Sequence, residues 1–245
     1  MKTCAICGRS EEEVRILKGH VIPRFLDKSK DNRSIFTICM ECDQKRAEKE
    51  YSLYESYRIS ENKEFYSSFL KSTLEIEALL DAKLPEQFKK SLYKLLYTNI
   101  ITSLETYFSD ALINIVMSDK SLVRKVIETT PEFKKRKICV SDLYLAYESI
   151  EDEVREYLVG VIYHNLAKVK SMYGAVLGVE FPADLSDIYS AIVDRHDLVH
   201  RNGKNKDGNS LNIGGSEVSE LLIKVRKLVE EINLQLPPIS GQKLA

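Results

Sequence analysis

The sequence predicts an all-α protein carrying a small cysteine-bearing module at its N-terminus, and three observations lead there. From about Gln44 onward apolar residues recur every three or four positions, the pattern of amphipathic helices. Helix punctuation recurs at suitable intervals, with Pro85, Thr130-Pro131-Glu132, Asn202-Gly203 and Pro237-Pro238. The first stretch instead holds four cysteines among short apolar pieces such as Val21-Ile22 and Ile35-Phe36, and it cannot build a core unaided. The expected division is residues 1–50 as the small module and 51–245 as the helical domain.

A helix from about Glu61 carries Phe65, Phe69, Leu70, Leu74, Ile76 and Leu79-Leu80 before Pro85 interrupts it. The longest helix starts near Pro85-Glu86 and runs through Ile100-Ile101, Leu104, Phe108 and Leu112-Ile113 to Val116, a stripe wide enough for the centre of a bundle. Further starts are expected at Thr130-Pro131-Glu132 and at Ser141-Asp142. One helix is expected over about Ile150 to Tyr173, with His164 as a structural residue inside an apolar stretch. The next begins near Ala183-Asp184 and closes at Asn202-Gly203, and Ser216 caps the last.

Composition narrows the function. Thirty-six Lys and Arg stand against 37 Asp and Glu, so no broad positive field attracts a nucleic-acid duplex and any RNA contact must be local. No apolar run approaches the roughly 20 residues that a membrane span needs, and Met1-Lys2-Thr3-Cys4 lacks the apolar core of a signal peptide. A cytoplasmic protein without membrane partners is expected. The run Lys134-Lys135-Arg136-Lys137 reads as a solvated helix face. Cys139 is left over from the cysteine pairs and receives no role.

Cys4-Ala5-Ile6-Cys7 and Cys39-Met40-Glu41-Cys42 are chelating pairs whose spacing lets both thiolates of each reach one tetrahedral ion. One structural zinc held by Cys4, Cys7, Cys39 and Cys42 is expected to supply the core that this stretch lacks. Together with Lys18-Gly19-His20-Val21-Ile22-Pro23-Arg24, these pairs resemble the zinc-ribbon form of the HNH nuclease family. The resemblance implies His20 as the residue that activates water. The family's acid before that histidine is Gly19 here, Asp43 follows the second pair where Asn is usual, and no histidine lies between His20 and His164. Metal-assisted hydrolysis needs several ligands, so the expectation is a degenerate module that keeps the zinc scaffold without the chemistry.

Asp194-Arg195-His196-Asp197-Leu198-Val199-His200-Arg201-Asn202-Gly203 places two of the four histidines within five positions of one helix. Taking Ile192 as zero at about 100° per residue, Val199 falls near −20°, Arg195 near −60°, His196 near +40° and His200 near +80°. The three polar groups are therefore expected to flank one apolar stripe and to border a packed surface. Their chemistry suits RNA cleavage without a metal: a histidine with an ordinary pKa of about 6.5 exchanges protons at neutral pH, and a guanidinium grips two phosphate oxygens. A helix C-terminus also favours His and Arg through its dipole, and the residues alone leave the two readings open. Histidines at i and i+4 have the spacing of a zinc pair as well, but no third ligand stands in a suitable place.

Arg195, four intervening residues and His200, with polar His196 directly after the arginine and Arg201-Asn202-Gly203 following, resemble the motif of the HEPN superfamily of ribonucleases. Leu104-Glu105-Thr106-Tyr107-Phe108-Ser109-Asp110 is similar to the long helix of that group. The resemblance covers about Glu50 to Leu236. It implies a HEPN-like bundle that forms a homodimer, with Arg195 and His200 of two copies meeting in a metal-independent endoribonuclease site. His196 is then a second proton-transfer or orienting group, and Arg201 and Asn202 contact substrate. Many relatives are toxins or phage-defence effectors held inactive until triggered, and the zinc module is the expected docking place of an inhibitor or sensor protein. Glu105 and Asp110 lie on the long helix where they can face the cleft, and neither is expected to be catalytic. The alternatives are a metal-dependent DNA endonuclease acting through His20, and a non-catalytic module that binds nucleic acid or a partner.

Overall fold

The computed structural model describes residues 4, 9–10, 16–21, 35–42, 64–237 and 239, with the backbone alone for 16–21 and 35–38. The chain divides into two compact units, Met1–Tyr57 and Arg58–Ala245.

In the first unit, β1 (Ile16–Val21) pairs antiparallel with β2 (Ile35–Cys39), with an irregularity between Leu17 and His20. The stretch for which no regular element is expected thus contains a two-stranded sheet. Apolar β-branched residues at Ile16, Val21, Ile35 and Ile38 suit strands, although the runs are too short for periodicity to reveal them. Met40–Cys42 turn helical directly after β2. His20 lies in β1 opposite Phe36. Cys7 lies outside the described residues.

Among its described residues the second unit is built of helices joined by turns, with a 3-10 turn at Val140–Asp142 and one isolated bridge between Lys204 and Ser210. Its helices are α1 (Phe65–Leu80), α2 (Glu86–Ser118), α3 (Lys120–Thr129), α4 (Pro131–Lys134), α5 (Leu143–Val159), α6 (Leu166–Leu177), α7 (Ser186–His200) and α8 (Gly215–Asn233). The central member is α2, which packs against α1, α3, α5, α7 and α8. Its second half is enclosed almost all round, with Phe108, Ala111, Leu112, Ile113 and Val116 at 0 % exposure. Aromatic rings knit this centre: Tyr107 meets Phe65, Phe69 and Phe108, while Phe108 meets Tyr173 and Phe181. The buried Tyr173 hydroxyl donates to the Phe108 carbonyl at 2.7 Å, so the polar atom enters the core with a partner.

Three boundaries depart from expectation. Asp119 ends α2 and caps α3, its carboxylate accepting from the Ser121 N–H at 2.7 Å, which separates a helix that periodicity alone does not mark. The helix expected over Ile150 to Tyr173 is broken. Gly160 closes α5, the Tyr163 hydroxyl reaches back to the Leu158 carbonyl at 2.9 Å, and Asn165 caps α6 by accepting from the Lys168 N–H. His164 consequently sits in a turn and not in an apolar helix. The last helix starts at Gly215, with the Glu217 carboxylate accepting from the Gly214 N–H at 3.0 Å, so the expected Ser216 cap lies inside it. Thr130-Pro131 does open a helix, but α4 lasts a single turn.

Candidate functional site

Two clusters of chemically capable side chains stand out, one in each unit.

In the N-terminal unit, β2 delivers Cys39, and the helical turn after it brings Cys42 to the same side. The ligand sulfurs of Cys4, Cys39 and Cys42 lie within 4.8 Å of one another. Cys4 and Cys39 are buried and Cys42 is half-buried. The Cys4 N–H donates to the Arg9 carbonyl at 2.9 Å, and the Cys39 N–H donates to Cys4 Sγ at 3.4 Å. Arg9 reaches the Glu41 carboxylate at 2.7 Å and comes within 4.0 Å of Cys39 Sγ. Four bonds of about 2.3 Å to a tetrahedral zinc put sulfurs about 3.8 Å apart, which this spread accommodates. The three thiols can therefore hold a soft metal ion, and the donor set suits zinc.

In the helical unit the site is built on α7. Its packed face runs through Ile188, Ala191 and Leu198, against which Arg195 lies half-buried. Tyr189, Val193 and Val199 are 42 %, 54 % and 49 % exposed, and His196 and His200 are exposed with them. Of the expected stripe, Ile192 packs against the core while Val199 does not. The buried face is rotated from it toward Arg195, so the arginine sits within that face while the two histidines sit outside it. Five residues at about 100° each set Arg195 and His200 about 140° apart around the helix, and one copy of α7 does not bring them together. His196 and His200 do meet, with ring centroids 4.7 Å apart and planes tilted by 45°.

The end of α7 is firmly closed. Arg201 and Gly203 both donate their N–H to the Asp197 carbonyl at 3.0 Å. Asn202 and Gly203 are left-handed, with φ of 53° and 75°. A Cβ at Gly203 stands 3.1 Å from Lys94 Nζ and 3.5 Å from Leu198 Cδ2, so both backbone and space favour glycine there. The Arg201 guanidinium pairs with the buried Asp197 carboxylate at 3.1 Å, and Asn202 is exposed. One turn earlier, burial pushes the Asp194 carboxyl above its ordinary range, and Asp197 adds to the shift. The Tyr97 hydroxyl opposes it by donating to Asp194 at 3.3 Å. Burial, with the Asp194 charge beside it, raises the Tyr97 phenol in turn.

Two residues not expected to be catalytic, Glu105 and His164, complete this neighbourhood. Arg195 Nη2 lies 3.9 Å from Glu105 Oε2 on α2, and Glu105 Oε1 lies 3.5 Å from His164 Nδ1. Glu105 Oε1 and Arg195 Nε are buried and make no hydrogen bond among the described residues. Such atoms cost about 1–3 kcal/mol each when left unsatisfied. The available signal for Glu105 was a carboxylate flanked by Leu104, Tyr107 and Phe108 on the longest helix. His164 gave none, because the turn that presents it was read as helix. Elsewhere, Lys134, Lys135 and Lys137 are solvent-exposed, while Arg136 is joined to Glu153. Asp110 is buried.

Comparison of the chain with protein-family models, with curated proteins and with solved structures finds no match. Among the described residues no helix is long and apolar enough to cross a membrane.

Proposed function

We propose that the chain is a metal-independent RNA endonuclease of the HEPN type, a cytoplasmic homodimer serving as a toxin or phage-defence effector, with a structural zinc in its N-terminal unit. The observation that carries this reading is the end of α7. Two imidazoles 4.7 Å apart stand open to solvent on the helix that also bears Arg195. The exposed stripe of Tyr189, Val193 and Val199 supports the dimer, since a second α7 laid along it covers apolar surface and gathers four histidines. In the reaction one imidazole takes the proton of a 2′-hydroxyl as it attacks the adjacent phosphorus, and another protonates the leaving 5′-oxygen. Arg195 offsets the charge that grows on the phosphorane. His200 is the first acid–base group and His196 the second or its orienting neighbour. Asn202 and Arg201 sit where the RNA backbone passes. Arg201, 38 % exposed despite its pairing with Asp197, keeps further N–H groups for a phosphate.

The thiol cluster fits structural zinc, with Cys7 as the expected fourth ligand. An inhibitor or sensor protein would engage this unit. Expression of wild type, Arg195→Ala and His200→Ala in cells tests the assignment. Growth arrest with RNA cleavage by wild type alone is the expected result, while unchanged toxicity and cleavage in both variants would refute it.

A further inference from the structure

The proposed chemistry leaves Arg195 without a proton-transfer group in its own copy, since His200 lies on another face of α7. The fold supplies one. Glu105 stands between Arg195 and His164, and these three side chains come from α7, from α2 and from the turn between α5 and α6. Each is held by its element. Glu105 projects from the centre of the buried helix, beside Leu104 and Tyr107 at 2 % and 1 % exposure. His164 is clamped on both sides, by buried Tyr163 bonding back to Leu158 and by Asn165 capping α6.

We propose that Arg195, Glu105 and His164 form a phosphate-binding, proton-transferring site within one protomer, in which Glu105 orients His164 as a further acid–base group. This rests on the ribonuclease reading and adds two residues to it. The distances of 3.5 Å and 3.9 Å exceed those of a formed hydrogen bond, as is common before a substrate draws a site together. Glu105 accepting from His164 Nδ1–H leaves Nε2 for the substrate, and the imidazole is 47 % exposed, so that nitrogen is reachable. Arg195 Nε–H, buried and without a partner among the described residues, is the donor that a phosphate oxygen satisfies, with a second N–H of the guanidinium completing a two-pronged contact. Protonated His164 and Arg195 around one carboxylate leave a net positive charge, as a phosphodiester requires.

The step balances within the RNA. The 2′-oxygen gives its proton to the neutral imidazole as its bond to phosphorus forms. The bond from phosphorus to the 5′-oxygen breaks with its electron pair on that oxygen, which takes a proton from the protonated imidazole. A 2′,3′-cyclic phosphate and a 5′-hydroxyl result, with no water or co-reactant consumed. His164 and a motif histidine of the second copy divide these two roles, and Glu105 is a positioning residue.

The test has two arms on the full-length protein. In the first, inorganic phosphate is titrated while the imidazole nitrogens are followed by NMR, with the His164 signal assigned from its loss in His164→Gln. The His164 signal is expected to move with phosphate in wild type and to stay still in Arg195→Ala. A signal that ignores phosphate, or moves equally in both proteins, overturns the site whether or not RNA is cut. In the second arm, His164→Gln is expected to lower kcat by about 10²-fold or more with KM for RNA little changed. Glu105→Gln should lower kcat by up to about 10²-fold through a misplaced imidazole, and Glu105→Asp should recover part of that loss. Unchanged kcat in His164→Gln overturns the assignment. Absence of cleavage by wild type refutes the ribonuclease reading and leaves the phosphate titration to decide the site.

Discussion

The described residues of the two units bury different kinds of side chain. The helical unit encloses α2 in aromatic and aliphatic side chains, with Ile100, Phe108, Leu112 and Val225 at 0 % exposure. In the cysteine-bearing unit, the buried residues among those described are Cys4 and Cys39, side by side at the mouth of a two-stranded sheet. A two-stranded sheet is marginal by itself in water, and a small unit commonly replaces core area with a metal. The difference teaches that apolar burial does in one unit what thiol–metal bonds are positioned to do in the other. Each should therefore fail under a different insult.

The largest effect is expected in the smaller unit. Metal removal, or Cys39→Ser, should open it to proteolysis, since structural zinc accounts for about 10–16 kcal/mol of apparent binding energy in comparable peptides. The melting transition of the helical unit should stay in place. Limited proteolysis read by mass spectrometry, beside a metal assay, checks both halves of that statement. Loss of both units together would break the comparison.

Next in size is Phe108→Ala. It should cost the helical unit about 3–5 kcal/mol, visible as a lowered denaturant midpoint, while metal content is unchanged. Tyr173→Phe keeps the ring and deletes only the hydroxyl that donates to the Phe108 carbonyl. A loss of about 0.5–1.5 kcal/mol is expected by the same measurement. The smallest effect is Asp194→Asn, and its sign depends on pH. Burial makes the folded protein hold the Asp194 proton to a higher pH than the unfolded chain does. The carboxylate therefore opposes folding increasingly as pH rises from the ordinary carboxylate range through the raised value. The asparagine variant should be slightly more stable than wild type at pH 7.5. That advantage should shrink as pH falls toward the ordinary range, and paired urea titrations at the two ends would show it.

The parts of the fold legible in the sequence are those written in local chemistry. Pro85 before α2, Thr130-Pro131 before α4, and the left-handed Asn202-Gly203 closing α7 all stand where backbone preference alone puts them. The α2–α3 break was not legible, because apolar residues continue through Val116, Met117, Leu122 and Val123 and a single aspartate cap interrupts them. Nor was the turn at His164, where Val159, Val161, Ile162 and Tyr163 preserve a helix-like pattern and the Tyr163 hydroxyl bond decides otherwise. The motif residues could be found as neighbours in the sequence, but not the face each occupies. That depends on which side of α7 meets α2, a long-range fact that puts Arg195 beside Glu105 and leaves His200 in solvent. For the same reason His164 could be linked to Arg195 only in three dimensions.

Total RNA incubated with purified protein in magnesium-free buffer with excess chelator, wild type beside His200→Ala, tests the central claim most directly once the cut ends are identified. The account expects cleavage by wild type alone, leaving 2′,3′-cyclic phosphate and 5′-hydroxyl ends. Equal cleavage by His200→Ala, or ends bearing a 5′-phosphate, would contradict it.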